Sequence, residues 1–293
     1  MNNILINKRM YQGVPMRKQL SFLLTLVFLL SFSVFGYTDN SKEVLELKEK
    51  GNINWSRGVV QAKGIGIPPP KMSGNSNART VALTDAKLNA FCIILEIIKK
   101  LRINGTTAVG DYAIEDPAIM SKIESMVKNA KVVKKEYLTD GTVKIEMEVN
   151  LRGGFAQLIL PKDIKPLDSI TLVTKNKTSS PVFTGLVVDA KGLGVRPVMV
   201  PRILDENNQE VYGSAFVSRE YAVQQGMSGY ARNLKEILNN QRVADHPLVV
   251  KGLKTSGPGR SEIVISNADA SKLRSTSESL YFMKKCRVII VVD

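Results

Sequence analysis

Apolar positions recur along this chain in distinct rhythms, and each rhythm predicts a different element. Ala78, Ala82, Ala86 and Ala90 repeat every four residues, and Ile93/Ile94, Ile97/Ile98 and Leu101 continue the stripe. That spacing predicts one long helix over Ala78–Leu101, with a small-residue end that can lie close to a neighbour. Asn104-Gly105 ends it. Asp116-Pro117 opens a second helix, with Asp as cap and Pro in the first turn. Its inner face is Ile119, Ile123, Met126, Val127 and Ala130. Further on the period changes to two. Val143, Ile145, Met147, Val149 and Leu151 alternate with Lys144, Glu146, Glu148 and Asn150, just after Asp140-Gly141. That pattern predicts a hairpin of Lys131–Leu138 with Val143–Leu151. Before the helices, Ile53–Ile67 reads as a strand interrupted at Gly58, Gly64 and Gly66. The first half is thus a strand, two helices and a hairpin, an α+β unit.

The second half repeats the class with other elements. Phe183–Ala190 is a strand, and Pro201–Tyr212 holds a hairpin around Asp205–Asn208. Tyr230, Leu234, Ile237 and Leu238 predict a helix ending near Asn239-Asn240. Leu248–Leu253 and Glu262–Ile265 are strands, Ser266 or Asn267 caps a helix running through Ser279, and Arg287–Val292 is apolar throughout, as a buried central strand requires. The two halves also share an echo. Val59–Gly66 aligns without a gap on Val187–Gly194 at an offset of 128 positions, with six of eight residues identical. A fixed offset favours two related half-domains.

The N-terminus has a third pattern. Arg17-Lys18 precede Leu20–Phe35, which carries no charge, and Gly36-Tyr37 follow. A basic head, an apolar run and a small residue make a secretory signal peptide. Val34 and Gly36 fit its cleavage positions, so the cut is expected between Gly36 and Tyr37. Residues 1–15 precede a signal already complete from Met16 and read as a mis-assigned start. The expected organisation is a signal over 1–36, a polar spacer or short surface helix over 37–52, an α+β domain over 53–165, a linker over 166–181 and a second α+β domain over 182–293. Membrane contact is expected only through the signal.

Charge and composition narrow the chemistry. The net charge is +14, and removing the first 36 residues takes away Lys8, Arg9, Arg17 and Lys18, leaving +10. Nucleic acid is the usual partner of a basic chain, but an exported protein rarely meets it. A plain solvated surface is the first expectation, and anionic envelope polymers or lipid head groups come before nucleic acid as a counter-surface. One His and two Cys cannot build a multi-His or multi-Cys metal centre. Cys92 and Cys286 are expected as two buried thiols, although export permits a disulfide. Gly64-x-Gly66 and Gly192-x-Gly194 follow strands as phosphate loops do, yet each lacks the remaining glycine and the Gly-Lys-Ser/Thr signature, so strand exits are expected. His246 is expected to cap the preceding helix. Asp85 and Glu96 lie three turns apart on the long helix. Arg196, Arg202, Arg219, Arg232 and Arg242 could hold an anion if brought together. No catalytic, cofactor or metal residue is expected.

On the Gly-interrupted strand, the Ala78-Ala82-Ala86-Ala90 helix, the second helix and the Asp140-Gly141 hairpin, about Ile53–Leu160 resembles the N-terminal unit of flagellar assembly protein T. It is also similar to the small twenty-kilodalton outer-membrane lipoprotein family. The resemblance implies a periplasmic or outer-membrane-associated protein of structural or assembly type, without catalysis. The segment after the apolar run has no cysteine to accept a lipid. The expected function is therefore an exported structural or assembly protein of the envelope, linked through the resemblance to the flagellar basal body. The alternatives are a binding module for peptidoglycan or another anionic polymer and, third, an exported hydrolase. The expected partners are envelope proteins or such a polymer, with oligomerisation left open.

Overall fold

The computed structural model describes residues 43–70, 76–164, 183–237 and 240–293. The signal segment with its Gly36/Tyr37 junction, and the expected linker over 166–181, lie outside the described residues. Residues Ser41–Asp293 form one compact unit, built as an α+β fold around two sheets.

The first half contains β1 (Leu45–Lys48), β2 (Gly51–Asn54), β3 (Val59–Gly66), α1 (Ser76–Lys99), α2 (Val109–Glu115), α3 (Pro117–Lys128), β4 (Lys131–Tyr137), β5 (Val143–Asn150) and α4 (Gly154–Ile159). Its sheet runs β1-β2-β3-β5-β4, antiparallel throughout. Helix α1 lies across β3 and β5. The alanine stripe and Ile94, Ile97, Ile98 and Leu101 all face that contact and are buried. Asp116 caps α3 as expected, accepting the Ala118 N–H at 3.1 Å ahead of Pro117. At the hairpin turn the Asp140 carboxylate accepts the Thr142 N–H at 2.9 Å. Strand β4 forms the far edge. Its bulge between Val132 and Lys134 and its lysines 131, 134 and 135 discourage edge-to-edge pairing.

The second half contains β6 (Leu186–Asp189), β7 (Arg202–Leu204), β8 (Glu210–Tyr212), α5 (Arg219–Gln225), β9 (Gly229–Ala231), β10 (Leu248–Ser256), β11 (Glu262–Ile265), α6 (Asn267–Arg274), α7 (Ser277–Lys284) and β12 (Val288–Val291). Its sheet runs β8-β7-β11-β10-β6-β12-β9 and is mixed. Strand β6 pairs in parallel with both β10 and β12, whereas β10/β11 and β7/β8 are antiparallel. Every residue of β12 is buried, as its unbroken apolar run predicts.

Several expectations are corrected. The 37–52 spacer is partly a hairpin: β1 and β2 extend the first sheet, anchored by the buried Val44, Ile53 and Trp55. Its strands are too short and polar to be legible alone, because their order comes from pairing with β3. The expected helix from Tyr230 is strand β9 followed by a single 3-10 turn at Leu234–Glu236. The parallel partner β12 recruits that segment into the sheet. The helix after Ser266 breaks into α6 and α7, because Thr276 caps a new start by accepting the Ser279 N–H at 3.1 Å. Ser266 is the cap of α6, accepting the Asp269 N–H at 3.1 Å.

The internal echo does not mark a duplication. Strand β3 runs through Gly66 between antiparallel neighbours. The matching segment ends its strand at Asp189, lies between parallel neighbours and turns at Gly192 and Gly194.

The halves are joined through the backbone. Met199 and Val200 donate their N–H groups to Arg102 and Ile103 at 3.2 and 2.7 Å, and Gly153 donates to Val223 at 2.8 Å. One apolar core runs continuously through both halves.

Candidate functional site: an arginine-lined cleft between the halves

The junction leaves a cleft of about 250 Å³ between the β1–β2 hairpin and the Val195–Pro197 loop. Arg102, Arg196 and Arg232 line it, with Glu46, Trp55 and Asp293. Arg102 follows the last apolar turn of α1. Its Nη2 donates to the Pro197 carbonyl at 3.2 Å and lies 3.5 Å from Glu46 Oε2. Its Nε is buried with no hydrogen-bond partner among the described residues. Arg232 follows β9 and donates from Nε to the Glu43 carbonyl at 2.9 Å. Arg196 is held by its backbone, whose N–H donates to Arg260 at 2.9 Å, while its side chain is exposed.

Glu46 organises one wall. It accepts from Lys48 Nζ at 2.8 Å and from Trp55 Nε1 at 3.1 Å. Burial would raise its carboxyl, but those hydrogen bonds and the charge of Arg102 outweigh burial and hold it below its ordinary value. Asp293 also lines the cleft, and its carboxylate accepts the N–H groups of Gly192 at 2.9 Å and Gly194 at 3.4 Å. The second Gly-x-Gly loop therefore does cradle an anion, the chain's own aspartate. Planar guanidiniums grouped this way suit a carboxylate or phosphate, which they can bind through paired hydrogen bonds.

Of the five arginines singled out by sequence, the fold brings Arg196 and Arg232 to this cleft. Arg202 is ion-paired with Glu210 and Glu262 at 2.8 and 2.7 Å on the second sheet. Arg219 donates to the Pro161 and Gln157 carbonyls, and Arg242 to those of Gln225, Gly226 and Cys286. Arg102 does not stand out in the sequence. A lone Arg after an apolar stripe has the same sequence signature as any helix-end cation.

Asp85 and Glu96 are exposed on α1. His246 caps no helix among the described residues. It is exposed before β10, its ring stacks on Phe183 at 6.2 Å, and its backbone N–H donates to Thr184 Oγ1 at 3.0 Å. The two thiols are free, and Cys92 is exposed rather than buried, while Cys286 is buried as expected. Position 92 falls between the apolar residues of α1 on its outer face.

Residues 185–293 match the family model of the second domain of Treponema pallidum Tp0624. The match covers most of the second half and ends at Asp293, in the wall of the cleft. No curated protein matches the chain.

Proposed function

We propose that this chain is an exported, non-enzymatic protein of the bacterial cell envelope, of structural or assembly type, which works by holding a partner at the cleft between its halves. The observation that carries this reading is the convergence of Arg102, Arg196 and Arg232 from three separate segments on one cleft. The basic head and apolar run before Gly36 support export to the periplasm. The resemblance of the first half to the flagellar assembly unit supports a place in envelope assembly, with the flagellar basal body as the specific proposal. Affinity capture from crosslinked envelopes tests the reading. Recovery of defined envelope proteins, lost in an Arg196→Ser variant, is the expected result. Recovery of nothing above the empty matrix would contradict it.

A second reading is favoured by the same guanidiniums together with the +10 charge left after signal removal. In it the partner is an anionic polymer such as peptidoglycan, recognised through its carboxylates. Co-sedimentation with purified sacculi separates it from the first reading, because sacculi stripped of protein offer no protein partner. Both readings expect His246→Ala and Asp85→Asn to complement a deletion strain. Loss of function in His246→Ala, with the protein folded and exported, would contradict both.

A further inference from the structure

Strand β3, at eight residues, is twice the length of its neighbour β2, at four. It pairs with β5 along its whole length, Val59–Gly66, without a shift in register. With β2 it pairs only over Val59–Ala62, where β2 begins at Gly51. Beyond that point one edge of β3 has no strand against it among the described residues. The direction of its backbone groups follows from the period of two along a strand. Lys63 donates its N–H to the Lys50 carbonyl at 3.4 Å, so Lys63 faces the β2 side, and Ile65 and Ile67 face it too. The Ile65 N–H accordingly reaches the Asn89 side-chain oxygen of α1 at 3.4 Å, longer than a well-formed bond.

A groove runs along this open edge. Ile65, Ile67 and Asn89 line it, and Glu49 and Lys50 of the β1–β2 turn close one end. Ile65 is 51% exposed and Ile67 70%. Two residues apart, they stand on one face of the sheet. An open strand edge is a template for another strand, and folds ordinarily blunt it. The β4 edge is blunted by its bulge and lysines. The β3 edge has no bulge against β5 and no proline before Pro68, and beyond Lys63 its outward side chains are apolar.

Charge decides between occupants. Lys50 and Lys63 are balanced around the groove by Glu49 and Glu146, so there is no net field to draw the anionic group proposed for the arginine cleft. Unpaired backbone groups beside two exposed isoleucines suit an uncharged extended peptide instead. We propose that this edge is a strand-addition site for a partner protein. An extended, uncharged segment of that partner pairs antiparallel with Lys63–Ile67, in the line of β2, and sets apolar side chains at alternate positions against Ile65 and Ile67.

Amide exchange, read residue by residue by NMR on the full chain, tests this. The probe is a blocked seven-residue peptide of alternating threonine and valine. In the free chain the Ile65 N–H should exchange readily, while that of Gly64, which faces β5, is protected. With peptide at about ten times its half-saturation concentration, exchange at Ile65 should slow about tenfold and Gly64 should not change. In an antiparallel pair the residue opposite Ile65 shares its face and turns its own N–H toward β3. N-methylation of the valines should therefore abolish binding, and N-methylation of the threonines should preserve it. Ile67→Lys, at a mostly exposed position, should weaken the peptide about tenfold and leave the melt unchanged. Arg196→Ser should bind the peptide as wild type does, which separates this edge from the arginine cleft. Absence of binding, binding that leaves Ile65 exchange unaltered, or equal behaviour of the two methylated peptides would overturn the proposal, and none of these needs a protein variant. Protection of Ile65 that grows with the concentration of the free chain would assign the edge to a second copy and overturn it too.

Discussion

Gly66 of β3 lies directly beneath Ala82 of α1: a Cβ built on Gly66 would come 1.8 Å from the Ala82 carbonyl oxygen. One pleat earlier, a Cβ on Gly64 would come 2.0 Å from the Ala86 carbonyl oxygen. Glycines on the strand and alanines on the helix thus let two backbones meet. Gly66→Ala should cost about 1–3 kcal/mol through overpacking, read as a lowered urea midpoint. Its sequence counterpart Gly194 turns at φ +61° in an exposed loop, so Gly194→Ala should act by backbone strain without disturbing the helix contact. A Gly66→Ala melt indistinguishable from wild type would contradict the close packing.

The same contact orders two helix substitutions. Ala86 is fully buried and Lys87 is exposed. Ala86→Leu should destabilise by about 1–3 kcal/mol, and Lys87→Leu should stay within about 0.5 kcal/mol. Equal losses in denaturant would show that the alanine stripe does not face the sheet.

The thiols should separate by accessibility. Cys92 is exposed and Cys286 buried, so a thiol reagent should label one cysteine per native chain and two after denaturation. Burial pushes the Cys286 thiol up to about 12 from 9.0, and the Tyr230 hydroxyl to about 12 from 10.0. The folded state holds these protons more tightly than the unfolded one. Their contribution is fully present below pH 9 and is lost as pH rises toward 12, by about 1.4 kcal/mol per pH unit for each group. Cys286→Ala should flatten the first part of that decline in a urea series between pH 8.5 and 10.

Tyr230 is a junction pin. Its hydroxyl accepts the Val198 N–H at 3.0 Å and donates to the Val198 carbonyl at 2.9 Å. Its carbonyl accepts from Ser56 Oγ at 2.9 Å, and its ring meets Trp55 edge-on at 5.7 Å. Tyr230→Phe keeps the ring contact but strands a buried N–H, which should cost about 1–3 kcal/mol. Because one core runs through both halves, wild type and variant should each unfold in one transition by calorimetry. Two resolved transitions would contradict the shared core.

Long periodic elements were legible in the residues, and short ones were not. The alanine-isoleucine helix, the Asp116-Pro117 start, the Asp140-Gly141 hairpin and the apolar run of β12 each bury a face that their own sequence specifies. Strands β1, β2 and β9 have no such face; pairing partners distant in sequence make them strands. The Val59/Val187 echo misled because identical residues can serve a strand in one place and a turn in another, with the neighbours deciding. The cleft was half legible. Arg196 and Arg232 stood out as candidate anion ligands, but their meeting with Arg102 depends on the junction hydrogen bonds from Met199 and Val200 to Arg102 and Ile103, and residue types alone do not encode it.

In the proposed function, the arginine cleft between the halves holds an anionic group of an envelope partner. The most direct measurement is capture of the chain by isolated envelopes, comparing wild type with Arg196→Ser. Arg196 has an exposed side chain, so its loss leaves the fold in place. Wild type should bind, binding should fall as salt rises, and the variant should stay in the supernatant while giving the wild-type melt. Equal capture of the two proteins, at every salt concentration, would contradict it.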